Sequence, residues 1–155
     1  MVYQTGSNME AELSRPKKIF TRQLAIEIIA YLYVILFVYA AAYKLLDYRF
    51  FQVQLAHSPY IGWSSHSLAW LVPTVELIAA GMLIYAPFRK WGMYLSFLIM
   101  LCFTIYIAYL LNFSPNIPCA CGGIFDKMGW KGHLLFNSVF TALGALGIVL
   151  MRRPK

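Results

Sequence analysis

Four apolar runs limit what this chain can become, because each is about as long as a helix must be to cross a hydrocarbon core about 30 Å thick at about 1.5 Å per residue. The first, LAIEIIAYLYVILFVYAAAY, extends from Leu24 to Tyr43 between Arg22 and Lys44 and carries one charge, Glu27. The second covers Ser67 to Phe88 and contains Pro73, Glu76 and Gly81. Proline and glycine do not disqualify it, since neighbouring helices can satisfy the backbone groups they free. The third, WGMYLSFLIMLCFTIYIAYLL, runs from Trp91 to Leu111 without a charge, and the fourth, LLFNSVFTALGALGIVLM, from Leu134 to Met151. Inside lipid every backbone N–H and C=O must find its partner within the protein, so each run predicts a helix. The expected fold is an all-α integral membrane four-helix bundle, connected up-down-up-down, with spans at 24–43, 67–88, 91–111 and 134–151. Residues 1–23 form a basic tail, 24–151 the transmembrane domain and 152–155 a second short basic tail. Ala142, Gly144, Ala145 and Gly147 make the fourth helix a candidate for close helix contact.

Composition agrees with lipid as the solvent: 61% of residues are hydrophobic, only 12% are charged and the mean hydropathy is +0.63. A water-facing surface needs more charge than that. The net charge of +7 does not indicate nucleic acid, because the 13 Lys and Arg gather at the ends of apolar runs where anionic headgroups lie. Their distribution also predicts orientation. Arg15, Lys17, Lys18, Arg22, Arg89, Lys90, Arg152, Arg153 and Lys155 would share one side, and Lys44, Arg49, Lys127 and Lys131 the other. By the positive-inside rule both termini are cytoplasmic and the two long connections face outward. The first run is too long for a signal-peptide core and has no small-residue cleavage site before Lys44, so it reads as a retained span.

The second long connection contains NIPCACGGIFDKMGW, in which Cys119 and Cys121 stand one residue apart between Pro118 and the Gly122-Gly123 pair. A disulfide between residues so close constrains almost no chain entropy, so a stabilising bridge explains this spacing poorly. The ring would be small and strained, which makes it readily reducible and suits exchange with a partner thiol. On the outward side disulfides persist, whereas in the cytosol the same pair would be held reduced. Lys127, Lys131 and His133 are the groups near in sequence that would favour a thiolate. Two other readings stand beside exchange: inert loop cysteines, and a Cu(I) site completed by Met128 or His133. Cys102, in the middle of the third run, reads as a packing residue.

Other polar residues in apolar surroundings are also candidates. Glu76 lies at mid-span and needs a partner; it is read either as a proton or quinone-headgroup contact or as a protonated carboxyl that fixes packing. Glu27 is near enough to the cytoplasmic end to reach Arg22 or solvent. Lys44 and Asp47 can share a helix face as a structural ion pair. His133 and Asn137 are four apart, hence on one face of the fourth helix, with His133 suited to proton transfer near neutral pH. Trp63, Trp70, Trp91 and Trp130 fall near span ends and read as interface anchors.

Three segments, AYKLLDYRFFQVQLAHSP, WLVPTVELIAAGMLI and LNFSPNIPCACGGIFDKMGWKGHLLFN, resemble the MauE branch of the DoxX-like membrane proteins, in the form common in Bacteroidetes. The resemblance runs from Ile28 to about Met151 and is most specific at Pro118, Cys119, Cys121, Gly122, Gly123, Gly129, Trp130, His133 and Asn137. It implies a four-helix protein of the bacterial inner membrane, associated with maturation of a disulfide-rich periplasmic enzyme subunit. By analogy with DsbB and vitamin K epoxide reductase it implies electron transfer from protein thiols to a quinone. Those analogues use Cys-x-x-Cys and often a second pair, whereas this chain has one Cys-x-Cys. The resulting expectation is an inner-membrane thiol-disulfide redox or maturation protein with Cys119 and Cys121 facing the periplasm and His133 as proton acceptor. Glu76, Trp130 and Asn137 are the expected contacts of a quinone, no metal site is assigned, and the partner is a periplasmic or membrane protein. The alternatives are a non-catalytic assembly subunit of a larger envelope complex and a Cu(I)-handling protein.

Overall fold

A computed structural model of the chain describes residues 5–58, 62–113 and 129–152, with side chains from residue 21 onward and excluding that of residue 130. Among the described residues there are five α-helices: α1 (Thr5–Leu46), α2 (Tyr48–Ala56), α3 (Ser65–Ile84), α4 (Arg89–Phe113) and α5 (Gly129–Arg152). Four stretches within them are long and apolar enough to span a membrane: Thr21–Leu46, Gly62–Ile84, Ala86–Phe113 and Lys131–Arg152. The all-α four-span architecture is therefore present, and no strand occurs among the described residues. Each helix differs at its ends from its apolar run. α4 starts at Arg89 and α5 at Gly129, because a helix keeps its backbone bonding beyond the point where side chains turn polar. α3 stops at Ile84, short of Phe88; Pro87 lacks an N–H, restricts its neighbour and seats the chain in a 3₁₀ turn at Ala86–Phe88.

The four spans form a ring in which α1 packs on α3, α3 on α4, α4 on α5 and α5 back on α1. The core is built by buried Tyr33, Phe37, Ala79, Ala80, Leu83, Met93 and Met100. Outside it, Ile35, Leu71, Ile105 and Leu135 are each more than half exposed. Such an apolar exterior is stable only against lipid, since a water-soluble surface does not present apolar area on all sides. The α1 and α5 helices are tied by Tyr33, whose hydroxyl donates to the Phe140 carbonyl oxygen at 2.5 Å and whose ring meets Phe140 edge-on at 5.6 Å. Gly144 permits this approach: a Cβ there would lie 2.6 Å from the Tyr33 hydroxyl. Gly147 is likewise buried, whereas Ala142 is exposed, so the small residues of α5 are only partly an interface.

At one end of the bundle α2 lies across α3. Its residues Tyr48, Phe51 and Leu55 recur at helical spacing, and the last two are buried against Ala69 with Leu68 and Val72 beside them. Tyr48 also meets Trp70 at 5.1 Å, and Ser58, just past the helix, shares a 2.5 Å hydrogen bond with the Tyr106 hydroxyl on α4. At the opposite end Arg89 approaches Glu27 at 3.7 Å and donates from Nε to the Leu83 carbonyl, joining α1 to the α3–α4 turn.

Candidate functional site

The candidate site begins with a charge in the wrong solvent. Glu76 lies past the middle of α3 with its side chain 2% exposed, and an isolated carboxylate at such a position is strongly unfavourable. Lys44, near the C-terminal end of α1, reaches it: Nζ donates to Oε1 at 2.6 Å. The ammonium also sits 5.8 Å from the ring centres of both Phe51 on α2 and Phe103 on α4. Aromatic faces attract a cation and exclude water, so three helices converge on Lys44. The expected Lys44–Asp47 pair is not formed. Asp47 instead caps α2 where the helix breaks after Leu46, accepting the Phe50 N–H at Oδ1 over 3.4 Å.

Lys44 and Glu76 stand on the wall of a partly open cavity of about 320 Å³ lined by residues of α1, α2, α3, α4 and α5. Its lining is mostly aliphatic and aromatic, with a few polar groups, the pattern of a small-molecule site rather than a water channel. His133 and Asn137 enter from α5, one turn apart, as their spacing requires. Asn137 is buried and its Nδ2 donates to the His133 carbonyl oxygen at 3.1 Å, which leaves the amide oxygen as its acceptor. His133 is half-buried. Gln54 of α2 is a further polar residue of the lining, as are Asp47, Tyr43 and Tyr106. Cys102, expected as a packing residue, is exposed and lies at the cavity margin, on the outward side of α4.

Three of the residues expected as proton acceptor or quinone contacts are thus brought to one cavity: Glu76, His133 and Asn137. Cys119 and Cys121 lie outside the described residues, as does the side chain of Trp130, whose backbone belongs to the first turn of α5. Lys44 and Gln54 were not anticipated here. A signal for Lys44 existed, since a mid-span carboxylate requires a cation and few basic residues lie outside the terminal clusters and the α3–α4 turn. For Gln54 no signal existed, because α2 is too short to register as a span. Among the described residues no group of three or more His, Cys, Asp or Glu side chains is arranged to hold a metal ion.

A family model described as Methylamine utilisation protein MauE matches residues 22–150, a range that covers nearly all of the four spans and the whole of the cavity wall. Neither a curated protein nor a solved structure matches the chain.

Proposed function

The chain belongs to the MauE family, and from that premise together with the polar cluster in the intramembrane cavity we propose that it is a bacterial inner-membrane thiol-disulfide redox protein that matures periplasmic partners. The supporting observation is the cavity: an apolar chamber of about 320 Å³ in which Lys44, Glu76, His133 and Asn137 converge, at the end of the bundle where α5 follows the cysteine loop in sequence. The exchanging groups in this reading are Cys119 and Cys121, presented on the periplasmic side. A partner thiolate attacks one sulfur of their disulfide, the partner's second thiolate resolves the mixed disulfide, and the pair is left as two thiols. Reoxidation needs a two-electron, two-proton acceptor, and a lipid-soluble quinone supplies that chemistry.

The chain's own residues suit such a molecule. The volume admits a substituted six-membered ring and the start of its apolar tail, within the range of small-ligand pockets. Lys44 supplies a fixed ammonium donor, Asn137 an amide oxygen, and His133 a side chain able to take a thiol proton and pass it on. The aromatic wall around Lys44 excludes water and so strengthens these contacts. Methylamine oxidation itself is not assigned, because kinship of fold does not transmit a substrate.

The test is thiol trapping in intact cells with a membrane-impermeant maleimide, before and after reduction, on wild type, Cys119→Ser and Cys121→Ser. The proposal expects labelling only after reduction in wild type, and in one of the single variants a mixed disulfide with a second protein, visible on a non-reducing gel. Labelling that requires membrane permeabilisation would refute the periplasmic orientation. A pair reduced under oxidising growth, with no trapped partner in either variant, would leave the non-catalytic assembly role in its place.

A further inference from the structure

Lys44 satisfies one oxygen of Glu76; the other oxygen carries the inference. Glu76 Oε2 is buried without a hydrogen-bond partner, and the residue lines the cavity. Gln54 Oε1, on the same cavity wall, is a second buried oxygen in that condition. Buried polar atoms are nearly always satisfied, and a carboxylate oxygen can be satisfied only by a donor. Lys44, Asp47, His133 and Asn137 share the wall with these two oxygens while the rest of the lining is mainly aliphatic and aromatic, so the occupant that matches it carries a polar donor on an apolar body. The margin of the cavity includes Tyr39, Phe50 and Cys102, all exposed on the outside of the bundle, so its occupant can arrive through lipid.

We infer that Glu76 Oε2 is the acceptor for the hydroxyl of a lipid-soluble aromatic ligand, so that this cavity holds a hydroquinone more tightly than the corresponding quinone. A hydroquinone O–H donates to Oε2, whereas a quinone carbonyl in its place would set acceptor against acceptor. The redox consequence rests on the function proposed above. When the Cys119 and Cys121 thiols are oxidised by a para-quinone, two S–H bonds break, one S–S bond forms, and two electrons and two protons convert the quinone to hydroquinone. Tighter binding of the reduced member raises the potential of the bound couple, by about 30 mV for each tenfold preference in a two-electron reaction. Glu76 thereby makes the bound acceptor a stronger oxidant than the same molecule free in the bilayer.

The experiment measures binding apart from turnover. The full chain in lipid nanodiscs is titrated anaerobically with a decyl-substituted para-hydroquinone, its para-quinone and its di-O-methyl ether, with protein-free nanodiscs correcting for partition. The hydroquinone should bind at least about tenfold more tightly than either of the others, the ratio expected of one charge-assisted hydrogen bond. In Glu76→Gln, whose amide can donate as well as accept, that ratio should collapse towards one. Equal or tighter binding of the quinone or the ether by wild type would overturn the inference, and so would a preference that survives Glu76→Gln. The ether comparison needs no variant, so it holds even where Glu76→Gln folds poorly. The Cys119→Ser/Cys121→Ser double variant should keep the full preference. Preference retained in a protein that traps no partner refutes the exchange function and leaves the binding inference intact, while trapping without preference does the reverse.

Discussion

Replacing Lys44 by methionine removes the cation from a carboxylate that has almost no access to solvent. At 2.6 Å and an effective dielectric constant of about 20, the gross attraction of the pair is about 6 kcal/mol. Much of that is offset by the cost of desolvating both charges, so the pair's net contribution to folding is far smaller. Breaking it is another matter, because the surviving charge keeps its desolvation cost and loses its compensation. Lys44→Met and Glu76→Leu should each destabilise the bundle by about 3–5 kcal/mol, whereas the double variant, apolar on both sides, should return to within about 1–2 kcal/mol of wild type. The coupling between the two sites should therefore exceed about 3 kcal/mol, well above the near-additivity of independent positions. Unfolding in mixed micelles by increasing mole fraction of dodecyl sulfate, followed by far-ultraviolet circular dichroism, supplies the four free energies of the cycle. A double variant as unstable as the sum of the singles would refute the reasoning, as would a Glu76→Leu single variant no less stable than wild type.

Two glycine substitutions probe the frame around the site. Gly144→Ala would place a methyl group 2.6 Å from the Tyr33 hydroxyl, which must give way and lose its bond to the Phe140 carbonyl; the same micelle titration should show a loss of about 1–3 kcal/mol. Tyr33→Phe in that background, which removes the clashing oxygen, should recover part of the loss. Gly129 opens α5 at φ 67°, where an added Cβ meets no neighbour but the backbone conformation disfavours L side chains. Gly129→Ala should cost about 1–2 kcal/mol, and hydrogen exchange should locate the effect in the first turns of α5 and leave α3 unchanged.

The spans were legible because one physical requirement, internal satisfaction of backbone polar groups in lipid, acts on every residue of a run and leaves a signal about twenty residues long. Their ends were less so. At Pro87 a local backbone constraint outweighed the hydropathy of Tyr85 and Phe88, and at Gly129 and Arg89 helix continued where hydropathy had already fallen. α2 was missed because YRFFQVQLA mixes charge with apolar residues and is too short for a span; only its packing against Ala69 and Val72 makes it a helix worth forming. His133 and Asn137 could be placed together from their spacing alone. The partner of Glu76 could not, because Lys44 has two carboxylates within reach of plausible geometry, and what decides between them is the break after Leu46 that turns Asp47 into a cap.

That break also explains how a cavity survives in a small bundle. A straight extension of α1 beyond Leu46 would carry the chain out of the membrane and leave no cover over the space between the spans. Instead the chain folds over as α2, held by Phe51 and Leu55 on one side and by the Ser58–Tyr106 hydrogen bond on the other. Phe51 then lies beside Lys44, and Gln54 joins the same wall. The aromatic cover lowers the local polarity, which makes the Lys44–Glu76 attraction stronger and makes an unsatisfied Oε2 more costly. A cavity lined only by apolar side chains could close by repacking, since nothing holds its walls apart. A buried ion pair anchored on α1 and α3 resists such collapse, because moving either helix inward would separate the charges or bring the free carboxylate oxygen against hydrocarbon. The same two residues thus fix the register of the first two spans and keep open the chamber in which a ligand would meet them.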